Sequence, residues 1–198
     1  MTPRLLVATT NGGKQREFRR LLGGLAVTVV TPDEIGLEME VEEPYETYAE
    51  NATAKAVAYC LASGLLTVAD DSGIEVAALG WGPGVRSARW GTGDASQAEQ
   101  VVAAVGDNED RRARMVCALA LAAPGEPDPA VEVFTGVVEG SVAPEPRGEG
   151  GFGYDPVFLL PTGRTTAELP EADKDRISHR GRAVAAATPR IAKLLEAQ

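Results

Sequence analysis

The chain predicts a mixed α/β fold, a central sheet covered by helices on both faces, and three observations carry that prediction. Helical and strand patterns alternate from residue 4 to residue 79, whereas strand patterns cluster from residue 112 onward. The length of 198 residues, with 44% hydrophobic and 24% charged side chains, can bury a sizeable core in one domain spanning 1–198. No internal repeat, linker or low-complexity tract interrupts it.

"RLLVAT" (4–9) is a short apolar run ending in "TNGGK", which reads as strand then turn. In "KQREFRRLL" (14–22), Phe18, Leu21 and Leu22 fall at helical spacing, and "AVTVV" (26–30) is the next strand. Thr47 and Glu50 form a capping-box pattern in which each can satisfy the other's backbone N–H at the start of a helix over 47–63. Ala52, Ala56, Tyr59 and Cys60 mark its buried face, and Gly64 ends it. "LLTVA" (65–69) is a strand running into Asp70 and Asp71, with "GIEVAAL" (73–79) a returning strand after a Ser-Gly turn.

Residues 80–94 carry five glycines and a proline, the composition of a long ordered loop or lid. Ser96 and Glu99 cap a helix through Val105. "RARMVCALALAA" (112–123) and "AVEVFTGVVEG" (130–140) alternate large and small residues, which predicts two antiparallel strands joined by "PGEPDP". The glycine-rich stretch 147–158 ends in a short strand, and a C-terminal helix starts at Ser178. Pro189 is expected to kink or split that helix, with Thr188 as a second N-cap.

A formal net charge of −10 argues against a general affinity for nucleic-acid polymers, which are bound through basic faces. No signal-peptide pattern opens the sequence and no apolar run of membrane-spanning length occurs, so a cytoplasmic protein without a membrane partner is expected. Cys60 and Cys117 both lie in apolar segments and read as reduced core thiols. With His179 the only histidine, zinc clusters are excluded by count. A metal would have to be held by oxygen, which favours Mg2+ or Mn2+.

Six stretches can carry chemistry. "TTNGGK" follows a strand and opens a helix, so its backbone N–H groups, the helix dipole and Lys14 can receive an anion; an ordinary Asn-Gly turn is the other reading. Asn51 and Lys55 lie four apart on one helix face, where an alanine-flanked Lys55 either meets an anion or snorkels to solvent. Asp70 and Asp71 suit a cation-assisted phosphoryl reaction, the cation offsetting their repulsion, unless one caps a turn and the other is solvated. Glu38, Glu40, Glu42 and Glu43 form an acidic run that is either solvated or completes a metal site. Near the C-terminus, "GGFGYDP" offers aromatics on a flexible backbone that could stack on a base or form a core turn. "KDRISHRGRA" places Lys174, His179 and Arg180 around a helix start, as donors for carbonyl oxygens or as a basic cap.

Taken in order, "LLVATTNGGKQREFRRLL", "AENATAKA", "ADDSGIEVAALG", "PGVRSARW", "GFGYDPVF" and "KDRISHRGRA" resemble the inosine/xanthosine triphosphate pyrophosphatase family over nearly the whole chain. The resemblance implies two lobes with an active-site cleft between them. It also implies Mg2+-dependent hydrolysis, with Mn2+ a possible substitute, of ITP, dITP and XTP to a monophosphate and pyrophosphate, by a homodimer. On the matched motifs, Thr9, Thr10, Asn11, Gly12, Gly13 and Lys14 would cradle phosphates, assisted by Lys55. Asp71 would be metal ligand and base, Asp70 its catalytic support, Ser72 a substrate contact and Glu42 the second metal ligand, with Glu43 next. Phe152, Gly153, Tyr154 and Asp155 would hold the base, and Lys174, His179 and Arg180 would direct donors at its 6-keto oxygen.

Two departures from the family pattern stand out. Pro44-Tyr45 replaces the usual Thr/Asp-Gly pair after the acidic residues, and Trp81 stands where a second glycine is usual, at a lid or subunit contact. Two competing readings are a nucleotide-binding regulator without hydrolysis, and a pyrophosphatase for modified pyrimidine triphosphates.

Overall fold

Alternating apolar residues at 5 and 7 against 6 and 8 set up the first strand, β1 (Arg4–Val7), of a sheet buried on both faces. The computed structural model describes residues 2–90 and 96–196. They fall into two compact units, Met1–Asp71, Cys117–Gly136 and Arg180–Gln198 in the first, Ser72–Val116 and Val137–His179 in the second.

β1 is followed by helix α1 (Gly12–Leu21), strand β2 (Thr28–Val30), helix α2 (Tyr48–Ser63) and strand β3 (Leu66–Val76), whose residues up to Asp71 belong to the first unit. β1 pairs in parallel with β2, Leu5 opposite Val29, and with β3, Leu6 opposite Thr67. Strands β5 (Arg112–Ala123) and β6 (Ala130–Val142) come next in the order β2-β1-β3-β5-β6. One face buries Leu5, Val7, Leu66, Val68, Cys117, Leu119 and Leu121 against Phe18 of α1, its C-cap Leu22, and Ala183, Val184, Ala187 and Ile191 of α5 (His179–Leu195). The other buries Leu6, Ala8, Ala69, Ala118, Ala120 and Ala122 under Ala52, Ala56, Tyr59 and Cys60 of α2. Alanine on both surfaces lets α2 approach closely, so the sheet is covered on both faces as predicted.

In the second unit, β4 (Gly82–Pro83) lies antiparallel to the end of β3 and β7 (Phe158–Leu159) antiparallel to the end of β6. Ile74, Val76, Met115, Val138, Tyr154 and Phe158 pack there against Ala98, Val101 and Val105 of α3 (Gln97–Val105). Both cysteines are free and buried.

The structure corrects four local expectations. β3 does not stop at Asp70; it runs through Ser72 and Gly73 to Val76, after which 77–79 form a 3-10 turn, so no separate returning strand exists. Helix α1 starts at Gly12 because Asn11 caps it, its Oδ1 accepting the Lys14 N–H at 3.0 Å. The stretch 84–89 is a 3-10 helix, and the remainder of the expected lid, 91–94, lies outside the described residues. A short α4 (Glu171–Ile177) precedes α5, which continues through Pro189 unsplit. Thr188 is no N-cap there, since its hydroxyl donates to the Val184 carbonyl at 2.8 Å, and burial of Ala187 and Ile191 on both sides of Pro189 holds the helix together.

Candidate active site

Period-two geometry answers why Asp70 and Asp71 can be adjacent: consecutive side chains on β3 point to opposite sheet faces. Asp70 shares the face of Leu66 and Val68, beneath α1 and α5, and Asp71 shares that of Ala69, beneath α2. The two carboxylates therefore occupy separate environments.

Asp70 is fully buried in an ion cluster. Its Oδ2 accepts from Arg180 Nε at 3.1 Å and Nη2 at 3.0 Å and faces Lys14 Nζ at 3.1 Å, while Arg180 Nη1 also pairs with buried Glu17. Asp70 Oδ1 is buried with no hydrogen-bond partner. Burial alone would raise the Asp70 pKa, but the charges of Lys14 and Arg180 outweigh it and hold the carboxyl ionised well below its usual range. Asp70 and Glu17 in turn keep Arg180 charged against its own burial. Lys14 is thus anchored from beneath at the first turn of α1, where the dipole is positive. Thr10, Asn11 and Gly12 are exposed there.

On the opposite face Asp71 is buried, and its Oδ2 accepts from Asn51 Nδ2 at 3.0 Å. Its pKa is raised, chiefly by burial, with the Asn51 hydrogen bond opposing, the charge of Glu43 adding and those of Lys14 and Lys55 opposing. Lys55 does not snorkel; it is mostly buried and pairs with Glu43. Glu43 is half-buried and Glu42 exposed, so within "VEEP" it is Glu43 whose charge reaches Asp71. Among the described residues no three-ligand group of His, Cys, Asp or Glu occurs. Asp71 and Glu43 are carboxylates close enough to interact, and one or two carboxylates with substrate phosphates and water are what a hard divalent cation takes.

In the second unit Asp155 organises a buried cluster. Its Oδ2 accepts from Lys174 Nζ at 2.5 Å and the Phe152 N–H at 2.8 Å, and its Oδ1 from the Thr166 hydroxyl at 2.8 Å. Gly151 has φ +71° and lies so close to Asp155 Oδ2 that any side chain would overlap it. Lys174 Nζ sits 5.1 Å from the Phe152 ring centroid, a cation–π distance. Tyr154 is a core residue whose hydroxyl donates to the Ser87 carbonyl at 2.7 Å, while Gly153 is exposed. Lys174, His179, Ser178 and Asp155 line a small cavity with Met115 and Phe158.

The structure therefore groups the sequence candidates differently from their motifs. Lys14 joins Asp70, Lys55 joins the Asp71 face, and Lys174 and His179 join Asp155. Arg180 belongs with Asp70 and Glu17, not with His179 beside it in sequence. Ser72 is half-buried on the strand just past Asp71. Sequence reasoning missed Glu17, whose signal was its i+3 spacing from Lys14, and Thr166, which had none.

Comparison with known proteins agrees with the resemblance read from the sequence. The chain is 47% identical over 183 residues to a dITP/XTP pyrophosphatase of Gloeobacter violaceus, covering 91% of this chain and 90% of that one. A HAM1 protein from Coxiella burnetii superposes with a TM-score of 0.84 at 38% identity, over 96% of this chain and 99% of that one. A nucleoside-triphosphatase / dITP/XTP pyrophosphatase from Mycobacterium abscessus matches with a TM-score of 0.71 at 41% identity, over 94% and 99%. A family model described as Ham1 family matches residues 5–190, and the chain belongs to that family.

Proposed function

We propose that this chain, acting as one domain over 1–198, hydrolyses the non-canonical purine nucleoside triphosphates ITP, dITP and XTP to the monophosphate and pyrophosphate. The observation that carries the reading is Asp71: a buried carboxylate of raised pKa, fixed by Asn51 and facing Lys55 and Glu43. The names borne by the relatives support the substrate class.

Water attacks the α-phosphorus, its proton passes to the Asp71 carboxylate, and the bond from the α-phosphorus to the bridging oxygen breaks so that pyrophosphate leaves. A raised carboxylate pKa brings the proton acceptor nearer the working pH, which improves general-base transfer. Lys14 and the turn Thr9–Gly13, exposed at Thr10, Asn11 and Gly12, receive the phosphate tail, and Lys55 adds a second cation. Asp71, with Glu43 or Glu42, would hold a divalent cation, Mg2+ or Mn2+, which when bound polarises the phosphoryl oxygens.

Phe152 offers a ring for the base, backed by Lys174, and His179 offers a donor for the 6-keto oxygen. A 6-amino purine would set donor against donor, at about 1–3 kcal/mol per unpaired group. We further propose that the protein is cytoplasmic and homodimeric; among the described residues no helix is long and apolar enough to cross a membrane. A panel of nucleoside triphosphates with Mg2+, scored for pyrophosphate against phosphate, tests the reading. ITP, dITP and XTP are expected to exceed ATP, and turnover of methylated UTP or CTP above ITP would overturn it.

A further inference from the structure

We propose that Thr166 is a positioning residue for base recognition, its hydroxyl orienting the Asp155 carboxylate so that one oxygen holds both Lys174 and the Phe152 backbone. The inference rests on the reading that Phe152 and Lys174 receive the purine. These residues all belong to the second unit. Thr166 is 3% exposed, and its hydroxyl donates to Asp155 Oδ1 at 2.8 Å. Asp155 Oδ2 is thereby turned to Lys174 Nζ, at 2.5 Å, and to the Phe152 N–H, at 2.8 Å.

The terminal torsion of an aspartate is broad and two-fold, so a carboxylate held at one oxygen can still pivot. Donors on both oxygens remove that freedom, and Thr166 supplies the one on Oδ1. Without it, a buried carboxylate oxygen loses a charge-assisted bond, and rotation towards another donor carries Oδ2 away from Phe152 and Lys174. The Lys174 ammonium lies 5.1 Å from the Phe152 ring centroid, so moving either one changes the surface offered to a base.

The backbone beside Thr166 seats the same loop. The Ala167 carbonyl accepts the Gly150 N–H at 3.1 Å, and the Ala167 N–H donates to the Asp155 carbonyl at 3.2 Å. The Thr165 hydroxyl donates to the Arg147 carbonyl at 2.8 Å. A Cβ on Gly148 would lie 2.5 Å from the Ala167 carbonyl carbon, and one on Gly150 2.9 Å from its oxygen, so the glycines let loop 147–155 rest directly on 165–167. Its tip stays accessible, with Phe152 half-buried and Gly153 exposed.

Thr166→Val removes the hydroxyl and keeps the shape, whereas Thr166→Ser keeps the hydroxyl. For both, KM and kcat are measured for ITP and ATP with Mg2+, together with the inhibition constant of tripolyphosphate, which has no base. Hydrogen bonds to charged groups contribute on the order of ten- to a hundredfold in an equilibrium constant, so Thr166→Val should raise KM for ITP at least about tenfold. Its kcat, its KM for ATP and its tripolyphosphate inhibition should stay within about threefold, as should every constant of Thr166→Ser. An ITP KM in Thr166→Val within about threefold of wild type overturns the inference, as does an equal loss in Thr166→Ser or a matching loss of tripolyphosphate inhibition. Thr166→Cys, whose thiol is a weaker donor, serves if Thr166→Val does not fold, and an unchanged ITP KM there also overturns it. Wild type without preference for ITP over ATP would overturn the reading of the base site and this inference with it, a result distinct from an unaffected variant.

Discussion

Replacing Arg180 with methionine removes the buried cation shared by two buried carboxylates while keeping a long side chain in place. Arg180 is 2% exposed and joins Asp70, at 0%, to Glu17, at 3%. Breaking a buried pair by removing one partner typically costs about 3–5 kcal/mol, because the remaining charge stays desolvated. Lys14 remains for Asp70, but Glu17 loses its buried cation. At about 2–4 °C per kcal/mol for a chain of this size, the melting temperature should fall by roughly 6–20 °C at pH 7.

The pH dependence has a definite sign. The folded-state pKa of Asp70 is depressed, so its contribution is present above its unfolded value of 3.8 and is lost as pH falls below that. The gap between wild type and Arg180→Met should therefore be full at neutral pH and narrow as pH falls through the carboxylate range. Thermal unfolding at pH 7 and at pH 3, below the unfolded value, reads both effects. A variant with unchanged stability but altered discrimination between ITP and dATP would refute the reasoning and assign Arg180 to the base.

Two further predictions concern the other sheet face. Asp71 has a raised folded pKa, so its charged form is disfavoured by folding and destabilises the protein above that pKa. Asp71→Asn, unfolded thermally at neutral pH in a chelator, should melt higher than wild type; a lower melting point contradicts the desolvation argument. Glu43→Gln removes a charge that raises Asp71, so the acid limb of the kcat/KM profile should move to lower pH, and an upward shift would contradict it.

Much of the architecture was legible because its signals are local. Thr47 and Gly64 bound α2 as read, and the 112–123 alternation became β5 with those limits. The capping box was only partly realised: the Thr47 hydroxyl accepts the Glu50 N–H at 3.2 Å but donates to the Glu50 carboxylate at 2.6 Å. Ser72-Gly73 reads as a turn, yet the strand continues through it to Val76, and the Ile74 N–H is satisfied by the Ser87 hydroxyl at 2.9 Å, a partner 13 residues away. The ion cluster was less legible still. Glu17 and Arg180 are separated by 163 residues, and no spacing rule links them. Motif order brought the candidate residues into view, but only packing divided them between the Asp70, Asp71 and Asp155 clusters.

The central claim is that Asp71 drives release of pyrophosphate from a 6-keto purine triphosphate. Pyrophosphate formed from ITP with Mg2+ by wild type and by folded Asp71→Asn, measured side by side, tests it most directly. Wild type is expected to release one pyrophosphate per IMP, and the variant to be slower by at least about a hundredfold. Equal rates, or orthophosphate in place of pyrophosphate, would contradict it.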